Sequence, residues 1–213
     1  RATPAAIVTS EIYHKLLDAI QGTQAEHLFK FAWDTGLRRG EIVALRWSDF
    51  DIERSTIKVS KARKMGTQEY EGTTKSAYGL RTVTLSAAAT KNLIAWKKLL
   101  SEKLLSKGIR LTDGDYIFRA PQNVMHPMTL TALTHLFTGL KKRLKLPENL
   151  RFHSFRHTHA TILAEQEISA KKIQVRLGHA TAAFTMDRYV HNTEKMQDGI
   201  SQTMDEIAKK YGR

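Results

Sequence analysis

Four stretches of the chain hold side chains whose type and setting suit them to chemistry. In Thr35-Gly36-Leu37-Arg38-Arg39-Gly40-Glu41, Arg38 follows a glycine break at a helix junction. A guanidinium there can point into a cleft beside free backbone N–H groups, and its planar fork suits bidentate binding of a phosphate. In Thr73-Thr74-Lys75-Ser76, between two expected strands, Lys75 can reach a bound backbone as a point charge or as a proton donor. In His153-Ser154-Phe155-Arg156-His157-Thr158-His159, His153 and Arg156 stand three apart, share one helix face and would converge on one ligand. Leu177-Gly178-His179 puts His179 at a loop start after a helix-ending glycine, and Thr185-Met186-Asp187-Arg188-Tyr189 can bring a phenol near it, with His191 just beyond. Each has a plain alternative: a solvated turn arginine, a solvated hairpin lysine, histidines satisfied in the core or at the surface, a tyrosine that only packs. The i,i+4 pair His153 and His157 also allows a metal site, although Cys is absent and no Glu stands between them as in HExxH.

The elements that must position these residues can be read from periodicity. Thr9-Ser10-Glu11 opens an amphipathic helix (Ile12, Leu16, Leu17, Ile20) that Gly22 ends, with Ser or Thr as its N-cap. A second helix runs over about 24–34, burying Leu28, Phe29, Ala32 and Trp33, and a short third over 41–47, with Ile42 and Leu45 inside. The period then changes from 3.6 to 2. Strands are expected at 56–60, near 69–73 and at 80–85, punctuated by Gly72 and Gly79. Helical spacing returns at about 87–106, 129–145, 154–166, 169–177 and 194–210, and Phe155 and Ile162 should anchor the third of these, 154–166, in the core. The fold class is α+β, mainly helical with a small three-stranded antiparallel sheet.

Composition narrows the partners. Lys+Arg 34 against Asp+Glu 21 leaves a net charge of +13 and a pI near 10.0, so the summed field attracts polyanions, nucleic acid foremost. The basic residues are spread along the chain, which favours a folded basic face over a disordered arm. The absence of Cys excludes disulfides and thiolate zinc sites. No apolar run is long enough to span a bilayer and no secretory core is present, so the reading is a soluble, cytoplasmic protein with no membrane partner. The first residue is Arg1 rather than Met, and the expectation is a piece of a longer protein.

The order Arg38, Lys75, His153, Arg156, His179, Tyr189 resembles the signature of the tyrosine recombinase (phage integrase) family. TGLRRGEIVALRWSDFD looks like its first box, with Glu41 at the acidic position, and TTKSAYGLRTVTL like the sheet element that carries its lysine. HSFRHTHAT resembles the HxxRH box, and LGHATAAFTMDRYVH the final box that ends in the nucleophile. Lys61 and Lys64 lie at neighbouring sheet positions. The resemblance spans roughly residues 20 to 205 and implies that 1–213 is a catalytic domain, with a second DNA-clamping domain upstream in the whole protein.

The implied activity is site-specific DNA recombination through a 3′-phosphotyrosyl intermediate on Tyr189, with no cofactor and no metal. Arg38, Arg156 and His179 would hold the non-bridging oxygens, His153 would take or shuttle the phenol proton, and Lys75 would protonate the departing 5′ oxygen. The implied partners are double-stranded DNA and further copies of the chain, as a tetramer on DNA and a monomer in solution. The stripe Met196, Ile200, Met204 and Ile207 either packs on its own domain or docks on a neighbouring protomer. Competing readings are a type IB-like topoisomerase, a non-catalytic DNA-binding protein and a metal-dependent nuclease.

Overall fold

The computed structural model describes residues 6–63, 80–120 and 123–178. The expected strand near 69–73 and the expected helix 194–210 lie outside them. Helix starts follow capping chemistry. Thr9 caps α1 (Ser10–Asp18) by accepting from the Ile12 N–H at 3.3 Å. Ser86 caps α4 (Ala87–Leu105), Thr129 caps α5 (Leu130–Arg143) and Ser169 caps α7 (Ala170–Leu177) in the same manner. Two helix ends that matter for the site are glycines in the left-handed region, Gly36 after α2 (Gln24–Thr35) and Gly178 after α7. Between them in sequence comes α6 (Ser154–Glu165).

The short helix expected over 41–47 is displaced. It forms instead as α3 (Arg39–Ile42), and a 3-10 turn follows at Trp47–Asp49. The carboxylate of Glu41 reaches back to the Arg38 N–H at 2.8 Å, which starts the helix earlier. Farther on, Arg46 bridges to Tyr116 and the Trp47 N–H donates to the Asp115 carbonyl, pulling this backbone out of helical geometry.

A three-stranded antiparallel sheet is present, in the order β1-β2-β3. Its first strand, β1 (Phe50–Asp51), was not foreseen, being too short to show a period. It pairs with β2 (Thr56–Val59), which pairs with β3 (Arg81–Thr84) through Ile57↔Val83 and Val59↔Arg81. Ile57, Val59 and Val83 face inward while Lys58, Thr82 and Thr84 face out, the alternation that period 2 demands. Arg81 sits on the inward face with the valines.

The core forms around α2, which packs against both α4 and α6. Leu28, Phe29, Phe31 and Ala32 are fully buried there. Phe29, Phe137, Phe152 and Phe155 form one ring cluster with centroids 5.5–6.3 Å apart, several of them edge to face. Phe155 thus anchors α6 as expected, but Ile162 is 38% exposed and does not. The reason is α7, which packs on Ala160, Leu163 and Ala164 and turns Ile162 outward. No helix among the described residues is long and apolar enough to cross a membrane.

Candidate active site

Arg38 and Arg156, distant in sequence, meet at the C-terminal end of α7. Arg38 stands at the junction after Gly36 and N-terminal to α3; Arg156 lies in the first turn of α6. Arg156 Nη1 donates to the Gly36 carbonyl at 3.0 Å and Nη2 to the Leu177 carbonyl at 2.7 Å. Arg38 Nη1 donates to that same Leu177 carbonyl at 3.4 Å, and Nη2 to the Gly178 carbonyl at 2.8 Å. One oxygen therefore serves both guanidiniums. The last carbonyls of a helix lack intrahelical donors and carry partial negative charge, which suits them to gather cations. Arg156 is buried, whereas the Arg38 side chain keeps 40% of its surface, so the pair opens to solvent through Arg38.

Glycine makes this convergence possible. A Cβ on Gly36 would come within 2.7 Å of the His159 ring and 2.9 Å of Leu177, and its φ of +61° already disfavours a side chain. The Gly36 carbonyl that Arg156 grips is thus placed by a residue that has to be small.

Behind Arg38 stands Glu41, 1% exposed. Its Oε2 accepts from the Arg38 backbone N–H and its Oε1 from Arg38 Nη1 at 2.9 Å. Each oxygen also takes one arm of the Arg81 fork, Nη1 to Oε1 at 3.0 Å and Nη2 to Oε2 at 2.9 Å. Burial works to raise the Glu41 pKa, but the Arg81 hydrogen bonds, with the charges of Arg81 and Arg38, outweigh it and hold the carboxyl below its ordinary value. Arg81 Nε finally donates to the Arg176 carbonyl at 2.8 Å. Three arginines thus clasp three successive carbonyls, 176 to 178, at the end of α7.

A second layer ties α7 to α2. Arg176 Nη2 donates to the Asp34 carbonyl, Nη1 to the Thr84 carbonyl and Nε to His159 Nε2, all at 3.0 Å. His159 Nδ1 lies 3.0 Å from the Trp33 carbonyl, so Nδ1 carries the proton and Nε2 accepts. Burial and the Arg176 charge push the His159 pKa down from 6.5 to about 4, and the ring is neutral at pH 7.

Of the six residues singled out in the sequence, the structure brings Arg38 and Arg156 together. His153 is exposed at the N-terminal edge of α6, its ring centroid 4.7 Å from that of His157 and nearly perpendicular to it. Lys75, His179 and Tyr189 lie outside the described residues, though His179 directly follows the clasped Gly178 in the chain. Sequence reasoning missed Arg81, Arg176 and His159. For Arg81 a signal existed: in Leu80-Arg81-Thr82-Val83-Thr84-Leu85, period 2 puts the arginine on the same face as Val83 and Leu85, and a charge there needs a buried partner. Nothing comparable marks Arg176 or His159. Among the described residues no group of three His, Asp or Glu could hold a metal ion.

The sequence profile described as the phage integrase family matches residues 7–196. Over 210 residues the chain is 26% identical to a XerC-like tyrosine recombinase of Caldanaerobacter subterraneus subsp. tengcongensis, covering 93% of this chain and 54% of that protein. It is 30% identical to the ICEBs1 integrase of Bacillus subtilis, over 86% of this chain and 50% of that protein. The chain thus spans about half the length of the curated relatives it matches. Among solved structures, the Tn1549 transposon integrase in complex with circular intermediate DNA superposes with a TM-score of 0.79 at 24% identity, covering 95% of this chain and 68% of that one. The XerA recombinase superposes with a TM-score of 0.68 at 21% identity, covering 95% and 65%.

Proposed function

Because the chain belongs to the phage integrase family, we propose that it is the catalytic domain of a tyrosine recombinase that cleaves and rejoins duplex DNA at a specific site. The observation that carries this reading is the shared Leu177 carbonyl: two guanidiniums from distant elements are gathered at one place, beside the residue that precedes His179. A scissile phosphodiester is anionic and gains charge on its non-bridging oxygens as a nucleophile attacks. Donors already held in place for that charge supply the largest catalytic contribution in most enzymes. Arg38 and Arg156 take that role, with His179 adding a further hydrogen bond.

The remaining steps balance without an outside reagent. Tyr189 Oη attacks phosphorus, His153 takes the phenol proton, and the bond to the 5′ oxygen breaks as Lys75 protonates it. A 3′-phosphotyrosyl linkage and a 5′ hydroxyl result. The 5′ hydroxyl of a partner strand then gives its proton to Lys75 and attacks that linkage, Tyr189 leaves and recovers its proton from His153, and the DNA is resealed. One ester replaces another at each step, so neither ATP nor a divalent metal is consumed.

The relatives' names support a mobile element as the setting: the integrase of a Staphylococcus phage and the transposase of transposon Tn916 are among them. A tetramer on DNA would bring two duplexes and four phenols together for exchange. Action on host DNA places the protein in the cytoplasm, and the relatives' greater length leaves room for a second DNA-clamping domain upstream.

Incubation of the chain with a pool of nicked duplexes of randomised sequence, in EDTA, followed by a denaturing gel, tests the reading. A covalent adduct that disappears with Tyr189→Phe is expected. No adduct from any duplex, or an adduct that survives that substitution, sinks it. Relaxation of supercoiled plasmid without strand exchange would instead identify a topoisomerase.

A further inference from the structure

The geometry points to Arg81 as a positioning residue that sets the Arg38 guanidinium and the end of α7 for the cleavage step. The inference rests on the function proposed above for its catalytic consequence, though not for its structural content. Arg81 makes every polar contact a guanidinium needs to lock two bodies together. Its fork grips both oxygens of Glu41, and Glu41 in turn holds Arg38 by its side chain and by its backbone N–H. Its Nε grips the Arg176 carbonyl, one residue before the carbonyl that Arg38 and Arg156 share. Moving Arg81 therefore moves the support of Arg38 and the acceptor of both arginines at once.

Three observations separate this from an ordinary core ion pair. The Arg81 and Glu41 side chains are 5% and 2% exposed, so the pair cannot touch DNA and must act through neighbours. A buried ion pair is a weak source of stability compared with an apolar pair of similar volume. The planar fork also matches two acceptors in fixed directions plus a third through Nε, a geometry a lysine ammonium cannot reproduce. Arg81 opens β3 and Val59 is its partner on β2, so the clasp also ties the rim of the sheet to α7.

The experiment compares wild type, Arg81→Lys and the neutral pair Arg81→Met with Glu41→Gln, the last leaving no buried charge unpaired. The first arm uses the duplex that wild type selects from the randomised pool and reads single-turnover adduct formation and DNA affinity separately. Misplacement of reacting groups by a fraction of an ångström to an ångström lowers the chemical step by about 10- to 100-fold. Both variants should show a loss of that size, with DNA affinity within about twofold of wild type because no phosphate contact is lost. The second arm needs no DNA: ¹⁵N spectra of the arginine side chains should show the Arg38 and Arg156 signals displaced in both variants.

Adduct formation at the wild-type rate, together with unmoved Arg38 and Arg156 signals, overturns the inference. So does failure of both variants to fold, since Arg81 would then be a residue of folding. If wild type itself yields no adduct, the proposed function has failed, and the spectra alone decide whether Arg81 positions Arg38.

Discussion

At the residue scale the most informative side chain is one the chemistry does not use. His159 is half-buried and neutral, donating to Trp33 and accepting from Arg176. Its pKa falls from 6.5 to about 4 on folding, so between those values the unfolded chain binds a proton that the native chain refuses. Stability is whole above pH 6.5 and declines as pH falls towards 4, by about 3 kcal/mol from this one group. His159→Asn, which keeps a donor for the Trp33 carbonyl but cannot titrate, should flatten that slope in denaturant melts taken across the window. An unchanged slope would show that other groups cause it. Glu41 acts in a lower window. Its carboxyl is held below 4.5 in the native state, so its contribution is present above that value and disappears as pH drops further. Gly36 sets a harder limit. Gly36→Ala meets both a left-handed backbone and the His159 ring, and should lower unfolding free energy by about 2–5 kcal/mol in equilibrium denaturation.

At the scale of elements, α2 is the piece that the core, the α7 tether and Arg156 all lean on. It supplies Phe29 and Phe31 to the core, then the Trp33 and Asp34 carbonyls to the α7 tether, then the Gly36 carbonyl to Arg156. Phe29→Ala removes a fully buried ring from the four-phenylalanine cluster and should destabilise the fold by about 3–5 kcal/mol, measured by urea titration. Helix starts should respond far less: Ser86→Ala at the head of α4 and Thr129→Ala at the head of α5 are each expected to cost about 1 kcal/mol. The Ser86 backbone N–H bond to Asp34, at 3.3 Å, survives this substitution, so the loss at Ser86 reports the side-chain cap.

At the scale of the whole molecule, charge governs the encounter. A net +13 on a chain of this size attracts DNA before any contact is specific. Affinity for duplex DNA, followed by fluorescence anisotropy, should fall at least about tenfold between roughly 50 and 200 mM salt, linearly on a log–log scale. A flat dependence would contradict binding through phosphates. Arg81→Lys leaves that slope unaltered, because its charge is interior and unchanged in sign. Binding and positioning thus become separable measurements.

The sequence by itself determined the secondary structure over most of the described residues, the α+β class and the family, because capping residues, glycine breaks and apolar period are local properties that neighbours in the chain dictate. The HSFRHTHAT box also singled out Arg156, which the structure holds against the Gly36 and Leu177 carbonyls while His153, three residues before it, is exposed. Local signals failed where a distant partner intervened. The 41–47 helix was cut short by pairing with residues 115 and 116, and Ile162 was turned out by α7. Only the tertiary structure decided that Arg38, Arg81 and Arg156 would clasp one helix end, and that Arg176 and His159 would tether it. Those contacts join α2, α3, β3, α6 and α7 across long sequence separations. Which carbonyl a buried guanidinium finds depends on how whole elements pack, a choice no short stretch of chain encodes.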